Sequence, residues 1–539
     1  SKASTNTSLK SIFSNTKSSS ATDTTSVMSE SSTSTMLPSE SSESSKSSKS
    51  SKSSKSSEFT ETNQSSELSG GTEESQLTIT KLHDDHIPKI FLITKGTINI
   101  LDYPLKPKFK TNVPFPQFSL GFQHFIHQSK NNFQKVNNFA GRSKPFLVLN
   151  KFESRIDDYD NGLEQTSKSY FKMSDNTNII KSSFYKLWEM IQTFNLIDIE
   201  QKGFVSAHLS EAPGAFVQAT MYYRDKFCNK NNCKDDSYIS ISLHPETTNK
   251  YYHEMDKIFN EYLKEKPQRV QLFTTTTKAD SDKSSTKSNG DLTKLKDIKL
   301  FLKYFKDTAK KDAQLVTSDG SLEWSDRNLQ EQELTQLLVG EIYTALNILA
   351  EKGNFICRVY ETFTEVTAKL IYLLNLIFTS VYITKPLTSS KLSSEKYLVC
   401  TGLKNEEKTK VIKILEDLIM SLEVENKNNN KLNDIFPEFK LPQNFRASMI
   451  NANTDITNKQ FQVLNETIEF IEEQNYRGDE YNKRRNMQIN ATKYWIEVFY
   501  PTTEKMNDQI KKINTLKEEI ISSNNNKSEI LSKKIFYQL

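Results

Sequence analysis

The chain has 539 residues, of which 35% are hydrophobic, below the globular average of roughly 45–50%, so part of it cannot bury itself in a core. Its 71 basic and 67 acidic residues leave a net charge of +4, so the net charge by itself does not indicate a protein that binds polyanions. No apolar run approaches the roughly 18 residues of a membrane span, and no secretory signal is recognisable, so we expect an intracellular protein, cytoplasmic or nuclear.

Cysteine and histidine spacing predicts neither disulfides nor a metal site. The four cysteines are Cys228, Cys233, Cys357 and Cys400. Two of them fall on predicted interior strands, which favours a reducing compartment. The pair at 228 and 233 lacks a second pair, and the histidine pairs at 83/86 and 124/127 lack a third ligand nearby in the sequence.

The first 77 residues are dominated by Ser, Thr, Glu and Lys and include a repeated Ser-Ser-Lys run from Ser44 to Ser57. This composition offers no apolar surface to offset the entropy lost on ordering. Residues 1–77 are therefore predicted to be a disordered tail.

Residues 78–174 mix β-like runs at 89–100 and 145–150 with proline, lysine and aromatic residues. We predict an N-terminal α+β module of basic character. Lysines interleaved with aromatics at 106–110 and 130–144 favour contacts with phosphates and bases. An ordinary solvated surface explains this pattern equally well, so both interpretations stay open.

Residues 175–403 alternate apolar strands with helix-length segments, which is typical of a doubly wound, Rossmann-like α/β sheet with helices on both faces. The predicted strands span 205–209, 237–243, 314–317, 354–359, 380–384 and 396–401. A stretch rich in Ser, Lys and Asp from Thr274 to Gly290 indicates a surface insertion.

Residues 404–539 are predicted to be helical. One helical stripe contains Val411, Ile414, Leu415, Leu418 and Leu422. Further helices are predicted around 458–474 and 503–522. We expect these helices to pack on the sheet, and a partner-binding or RNA-clamping role is the alternative.

The first segment with chemical content is Ser206-Ala-His-Leu-Ser-Glu-Ala-Pro-Gly-Ala-Phe216. A strand that turns through Pro213 and Gly214 into a helix is expected to expose backbone N–H groups at the carboxyl edge of the sheet. An ordinary strand-to-helix loop is the alternative for such a turn considered alone. The full string resembles motif I of the FtsJ-like ribose 2′-O-methyltransferases, and most closely the form in their Adrift-type, cap-specific members.

Four further segments resemble this family in the same order, and together the five cover roughly residues 175–403. Ser182-Ser-Phe-Tyr-Lys-Leu-Trp-Glu189 resembles the helix whose lysine enters the active site, which matches Lys186, with Lys181 as the fallback. Val316-Thr-Ser-Asp-Gly-Ser321 is similar to the "ADGS" strand end and implies a catalytic Asp319. Gly353–Phe363 and Lys385–Cys400 resemble the last two motifs, and the latter implies a catalytic Glu395.

The resemblance implies an S-adenosylmethionine-dependent RNA 2′-O-methyltransferase with a Lys-Asp-Lys-Glu tetrad, which falls here on Lys186, Asp319, Arg358 and Glu395. A ribose hydroxyl is a weak nucleophile, so it must be aligned with the donor methyl and relieved of its proton. A lysine ionises near pH 10.4, so an amine base requires burial or nearby positive charge.

Arg358 departs from the family, whose lysine there is the usual proton acceptor, because a guanidinium stays protonated in proteins. Lys186 acts as the base in one interpretation, while Arg358 orients the hydroxyl and a phosphate. In a second interpretation Arg358 holds RNA in a protein that no longer catalyses. In a third the alignment is shifted, although Cys357 and Val359 are apolar as expected beside Arg358, and no lysine lies nearer than Lys352.

The resemblance also implies contacts with the methyl donor. Those expected at the motif I turn are Glu211, Ala212, Pro213, Gly214 and Ala215, and Asp319 is expected to face the donor as well. His244 stands where related nucleotide-binding folds have an acidic residue for the ribose, and a merely solvated histidine is the alternative. Asp291 in Gly290-Asp-Leu-Thr293 resembles an adenine-contacting segment, or else it is a turn residue.

His208 and Ala215 give motif I its Adrift-type character, which favours capped messenger RNA as substrate. Two rival functions stay open: a catalytically inactive RNA- or donor-binding subunit of a capping, transcription or virion complex, and a methyltransferase of ribosomal or transfer RNA. Frequent Asn, Lys and Ile indicate an AT-rich genome, compatible with a large DNA virus or a protist. A viral protein would be expected in the virus factory or the virion.

Overall fold

The computed structural model describes residues 86–119, 121–139, 145–152, 162–174, 177–243, 269–273 and 288–536. The predicted tail, His244 and most of the predicted insertion lie outside the described residues. Glu74–Leu539 form one compact unit, within which all described elements lie.

The strands are β1 (Lys89–Leu92), β2 (Lys108–Lys110), β3 (Val205–Leu209), β4 (Ser237–Ile241), β5 (Val270–Leu272), β6 (Ala313–Ser318), β7 (Leu349–Val359), β8 (Phe378–Lys385), β9 (Lys396–Leu403) and β10 (Lys431–Asp434). The α-helices are α1 (Phe122–Phe139), α2 (Leu163–Phe171), α3 (Ser183–Phe194), α4 (Ala215–Phe227), α5 (Lys230–Cys233), α6 (Leu295–Ala309), α7 (Gln330–Ile348), α8 (Glu365–Ile377), α9 (Lys408–Glu425), α10 (Gln443–Glu472), α11 (Asp479–Phe499) and α12 (Met506–Phe536).

Eight strands form one sheet in the order β1-β8-β9-β7-β6-β3-β4-β5. The five neighbouring strands β5, β4, β3, β6 and β7 are parallel to one another. Strand β9 is antiparallel to β7 and β8, and β1 is antiparallel to β8. The chain moves outward from β3 through β4 to β5 and then returns to β6 on the other side of β3. The carboxyl ends of β3 and β6 therefore flank a switch point, where open α/β sheets bind ligands.

The doubly wound sheet predicted from the sequence is confirmed, and all six predicted strands occur in it. β7 begins at Leu349 rather than at residue 354, because the exposed Glu351 and Lys352 interrupt the apolar pattern without ending the strand. The prediction omits β5, whose three residues give too short an apolar run to be recognised.

The two faces of the sheet bury different side chains. In β7, Phe355, Cys357 and Val359 join a core with α6 to α10, whereas Ile356 joins a second core with α3, α4, α11 and α12. Side chains two residues apart on a strand point to the same face. Arg358 therefore lies on the face that α3 covers.

The N-terminal segment is part of this sheet rather than a module of its own. β1 pairs with β8 and buries Ile90 and Phe91 on opposite faces, while β2 pairs with β10 from the C-terminal region. The boundaries drawn at residues 174 and 404 thus do not separate folding units. Two lysines of the predicted basic segments form ion pairs, Lys106 with Glu438 and Lys130 with Glu361.

The helical character predicted beyond residue 404 is confirmed. Four of the five residues of the predicted stripe are fully buried in α9, and Ile414 is partly buried. The two later predicted helices are segments of the longer α10 and α12, and α11 was not predicted because polar residues dominate its sequence. Among the helices that the structure describes, none is long and apolar enough to cross a membrane.

Candidate active site

Four charged side chains from distant parts of the sequence meet at one edge of the sheet. Lys186 lies on α3, Asp319 directly follows β6, Arg358 lies near the end of β7, and Glu395 directly precedes β9. Because β9 is antiparallel to β7, its first residue lies at the same edge as the carboxyl ends of β6 and β7. The topology therefore gathers these residues at the switch-point edge.

The four side chains form a row in which positive and negative charges alternate. Lys186 Nζ lies 2.6 Å from Glu395 Oε1, and Arg358 Nη1 lies 3.4 Å from Glu395 Oε2. Arg358 Nη2 lies 2.7 Å from Asp319 Oδ1. Each side chain is between 9% and 14% exposed, so the row is shielded from bulk water but reachable from it.

Asp319 and Arg358 hold one another in a fixed orientation. Arg358 Nε donates to Asp319 Oδ1 at 2.8 Å, and Nη2 also donates to the Asp319 carbonyl at 2.5 Å. The Tyr397 hydroxyl, from the residue paired with Arg358 across β7 and β9, donates to the same carboxylate at 3.2 Å. Burial raises the pKa of Asp319, and the charges of Arg358 and Lys186 oppose that rise.

Glu395 remains ionised at the centre of the row. Burial by itself would raise the pKa of Glu395, but the Lys186 and Arg358 cations outweigh it and hold the value far below its ordinary range. The Ser389 hydroxyl also donates to Glu395 Oε1 at 2.8 Å. The carboxylate can therefore orient the Lys186 ammonium without taking up a proton itself.

The loop between β8 and β9, residues 386–395, is fixed from several sides. Lys385 Nζ donates to the carbonyls of Ser393 and Glu395 at 2.7 and 2.6 Å. The buried Glu189 on α3 accepts from the Leu387 amide at 2.7 Å, and Gln460 Nε2 on α10 donates to the Leu392 carbonyl at 3.1 Å. Elements on both faces of the sheet thus fix the position of Glu395.

The geometry decides between the positions that the sequence leaves open. Arg358 contacts both carboxylates of the row, whereas Lys352 is exposed near the start of the same strand. The charged row therefore contains Arg358 rather than Lys352. Lys186 contacts Glu395, and Lys181 is exposed ahead of α3, so the row contains the first choice rather than the fallback.

The Pro213–Gly214 bend follows β3 at this same edge. Gly214 has φ of 110°, a conformation that favours glycine, and α4 starts directly after it. One expectation is wrong here: the amides of Phe216 and Val217 do not face outward, because Glu211 Oε1 accepts from both at 2.8 and 3.0 Å. The start of α4 is capped by its own chain rather than left free for a ligand.

Glu211 nevertheless has an unsatisfied group. Its Oε2 is buried and has no hydrogen-bond partner among the described residues. His208 Nδ1 lies 4.0 Å away, and burial lowers the pKa of His208 to about 3, so that ring is neutral. Burial raises the pKa of Glu211 well above its ordinary value, and the charges of Asp319 and Arg358 also act on it.

This orphaned oxygen fits the methyl donor that the resemblance implies. The donor carries two cationic groups, a sulfonium and an ammonium, and a buried acceptor without a partner is satisfied best by a cation. Glu211 and the bend at Gly214 are thus the residues that would hold the donor beside the charged row. The donor would supply the electrophilic methyl group.

Asp291, another predicted donor contact, and His208, which gives motif I its Adrift-type character, both have their polar atoms in internal contacts. Asp291 Oδ1 accepts from the amide and the hydroxyl of Thr293 at 2.9 and 2.6 Å, the geometry of a turn residue ahead of α6. His208 lies inside the sheet between Ser206 and Thr317, at 2.8 Å from each hydroxyl. It is therefore an internal hydrogen-bonding residue of the strand.

Glu211→Gln is expected to weaken donor binding about tenfold or more while preserving the fold. The amide oxygen can still accept from Phe216 and Val217, but an amide cannot ionise when the cationic donor binds, so the charge-assisted hydrogen bond to the donor, which contributes about 1.5–3 kcal/mol, is lost. Calorimetric titration with S-adenosylmethionine measures the change. Glu189→Gln, another buried carboxylate, is the matched control, and equal donor affinity in both variants would rule out the role of Glu211.

Several residues that position the site were not singled out from the sequence. Lys385, Ser389 and Tyr397 lie inside the segment whose resemblance implied Glu395. The segment was therefore recognised as a motif, but only Glu395 was given a role in it. Glu189 likewise ends the segment whose resemblance implied Lys186. Gln460 carries no sequence signal, because an isolated polar residue on a helix shows its partner only when the chain is folded.

Comparison with known proteins agrees with this geometry. Residues 180–403 match the family described as FtsJ-like methyltransferase. The chain is 26% identical over 308 residues to cap-specific mRNA (nucleoside-2′-O-)-methyltransferase 2 of Drosophila melanogaster, covering 55% of this chain and 41% of that protein. It is 25% identical over 412 residues to the protein of the same name from Mus musculus, covering 74% and 48%.

The chain thus spans about half or less of the length of these relatives. Among solved structures, a ribosomal RNA methyltransferase of Plasmodium falciparum has 15% identity and a TM-score of 0.27, covering 41% of this chain and 97% of that one. The match to the FtsJ-like methyltransferase family covers residues 180–403, somewhat less than half of the chain, and these residues contain all four members of the charged row.

Proposed function

We propose that this protein is an S-adenosylmethionine-dependent RNA ribose 2′-O-methyltransferase that acts on capped mRNA 5′ ends. The single observation that carries the proposal is the charged row of Lys186, Glu395, Arg358 and Asp319 beside the Pro213–Gly214 bend. The two relatives described above are cap-specific mRNA methyltransferases, which supports the choice of capped mRNA.

In this proposal the row orients the ribose hydroxyl and moves its proton. Lys186 accepts the proton as a neutral amine, after its ammonium has first released a proton to water, because Arg358 cannot lose its proton. Glu395 holds the Lys186 ammonium in place at 2.6 Å. Arg358, clamped by Asp319, keeps a permanent positive charge beside the reacting oxygen and so stabilises the negative charge that develops there.

The substrate is tested by methyl transfer from labelled donor to three RNAs: a capped transcript, the same transcript without a cap, and a structured ribosomal or transfer RNA. We expect label on the capped transcript at a ribose 2′ oxygen. Preference for the structured RNA would show that capped mRNA is not the substrate, but the proposed reaction, ribose 2′-O-methylation, would still stand. Activity that appears only with added capping or transcription proteins would identify the chain as a subunit of such a complex.

Arg358 also favours a second candidate, a catalytically inactive subunit that binds RNA or the donor within a capping, transcription or virion complex. Arg358→Lys separates the two. If Lys186 is the base, the parent is active and the rate of methyl transfer falls about tenfold in the variant. The reason is that a lysine cannot reproduce the guanidinium's paired hydrogen bonds to Asp319. No incorporation by the parent, with gain in the variant, would establish the inactive subunit. The measurement is single-turnover methyl transfer at saturating donor.

A further inference from the structure

A cavity of about 400 Å³ opens beside the loop that carries Glu395. Its walls come from the start of β1, the end of β8 with the first part of the 386–395 loop, the middle of α10 and the middle of α12. Helices that no motif explains therefore form half of a cavity next to the charged row.

The charged residues that line the cavity are five lysines and one aspartate: Lys89, Lys385, Lys391, Lys459, Lys527 and Asp455. Asp455 lies 2.8 Å from Lys89, and the lining contains more lysines than carboxylates. Among the described residues that line it, none is aromatic. The cavity is thus suited to an anion rather than to a stacked base.

Lys385 links this cavity to the active site. Its side chain lines the cavity, and its Nζ donates to the Glu395 carbonyl at 2.6 Å. Burial lowers the pKa of Lys385 to about 7, although the Glu395 carboxylate opposes that fall and the charges of Lys186 and Lys391 add to it. Lys385 therefore carries only part of a positive charge near neutral pH, and it links the cavity to the charged row by its position.

We infer that this cavity, called here the lysine cavity, binds a backbone phosphate of the substrate RNA that flanks the methylated nucleotide. The inference rests on the proposed function, since it takes RNA as the substrate. A ribose at the charged row has a phosphate on each side of it, and the loop that carries Glu395 forms part of the cavity wall. Lysine side chains bind phosphate as point charges without reading sequence.

This assignment gives the C-terminal helices a function. Lys459 lies on α10 and Lys527 on α12, so the cavity is incomplete without both helices. Helix α12 is fixed to the sheet edge through Asn524, whose Nδ2 donates to the Ile90 carbonyl of β1 at 2.8 Å. The helices thus hold two of the five lysines at a fixed place relative to Glu395.

The test is RNA binding by the variant Lys459→Glu/Lys527→Glu, measured by fluorescence anisotropy with a short capped RNA over a series of salt concentrations. We expect the Kd for RNA to rise at least about tenfold, with an unchanged Kd for the methyl donor. The slope of log affinity against log salt should fall by about 0.7 for each lost phosphate contact on a single strand.

The matched control is Lys511→Glu, on the same helix. Lys511 is 79% exposed and lies roughly 24 Å from Lys527 along the helix axis, so this variant should bind RNA like the parent. Lys459→Gln/Lys527→Gln removes the charges without introducing new ones, and it replaces the first variant if thermal melting shows that variant to be unfolded.

Failure of this inference is distinguishable from failure of the proposed function. Equal RNA affinity and salt slope in the parent, the double variant and the control would overturn the lysine cavity, even if the parent methylates RNA. Lysine-dependent RNA binding by a parent that transfers no methyl group would keep the cavity and overturn the activity. A parent that binds no RNA overturns both.

Discussion

Asp319→Ala is expected to abolish methyl transfer, with a loss of at least about 10²-fold in kcat. Asp319 Oδ1 accepts from Arg358 Nε and Nη2 and from the Tyr397 hydroxyl. Without this carboxylate the guanidinium is free to turn toward Glu395, and the ribose hydroxyl loses its fixed environment. Single-turnover methyl transfer at saturating donor and RNA measures the effect on chemistry rather than on binding.

The fold should survive this change, because Asp319 is 13% exposed and Arg358 keeps its contact with Glu395. Circular dichroism and thermal melting check this expectation. Asp312→Ala is the matched control: Asp312 directly precedes the same strand, β6, at the opposite edge of the sheet. Asp312→Ala should retain activity, since substitutions at exposed positions away from a functional site change the free energy of unfolding by about 0.5 kcal/mol at most. Full turnover by Asp319→Ala would show that the charged row is not the catalytic site.

Lys186→Met is expected to lower kcat by about 10²- to 10⁴-fold, the range that a general base contributes. Methionine keeps much of the length of the side chain, so α3 should remain packed against the sheet. The variant removes the amine that lies 2.6 Å from Glu395, the proposed proton acceptor in the row. The measurement is again single-turnover methyl transfer, with donor affinity determined separately.

Lys186→Arg distinguishes a base from a fixed charge. An arginine can still pair with Glu395, but it cannot accept a proton, so this variant should be as inactive as Lys186→Met. Recovery of activity by arginine would mean that position 186 contributes only charge, and the proton would then have to leave by another route. Lys181→Met, at an exposed position ahead of α3, is the control and should behave like the parent.

The proposed roles of Lys186 and Arg358 predict a ranking of variants. Arg358→Lys should cost less than Lys186→Met, because the proposed base is intact in the first and lost in the second. A larger loss in Arg358→Lys would indicate that the guanidinium fork on Asp319 matters more than the amine. The two variants therefore show whether Lys186 or Arg358 contributes more to the rate of methyl transfer.

The sequence by itself determined the sheet and the identity of the charged residues. Buried parallel strands are apolar on both faces, so β4, β6 and β7 are visible as short apolar runs. The resemblance of five segments in the same order as the family's motifs implied Lys186, Asp319, Arg358 and Glu395 from the sequence alone. Both signals are local: each depends on residue types within a short window.

Only the tertiary structure decided what those residues contact. That Glu211 caps α4 while leaving one oxygen without a partner depends on the angle between β3 and the helix. The placement of β1 in the main sheet and the joining of α10 and α12 around five lysines involve residues far apart in the sequence. Such long-range pairings arise from the packing of whole elements, which no local pattern of residue types records.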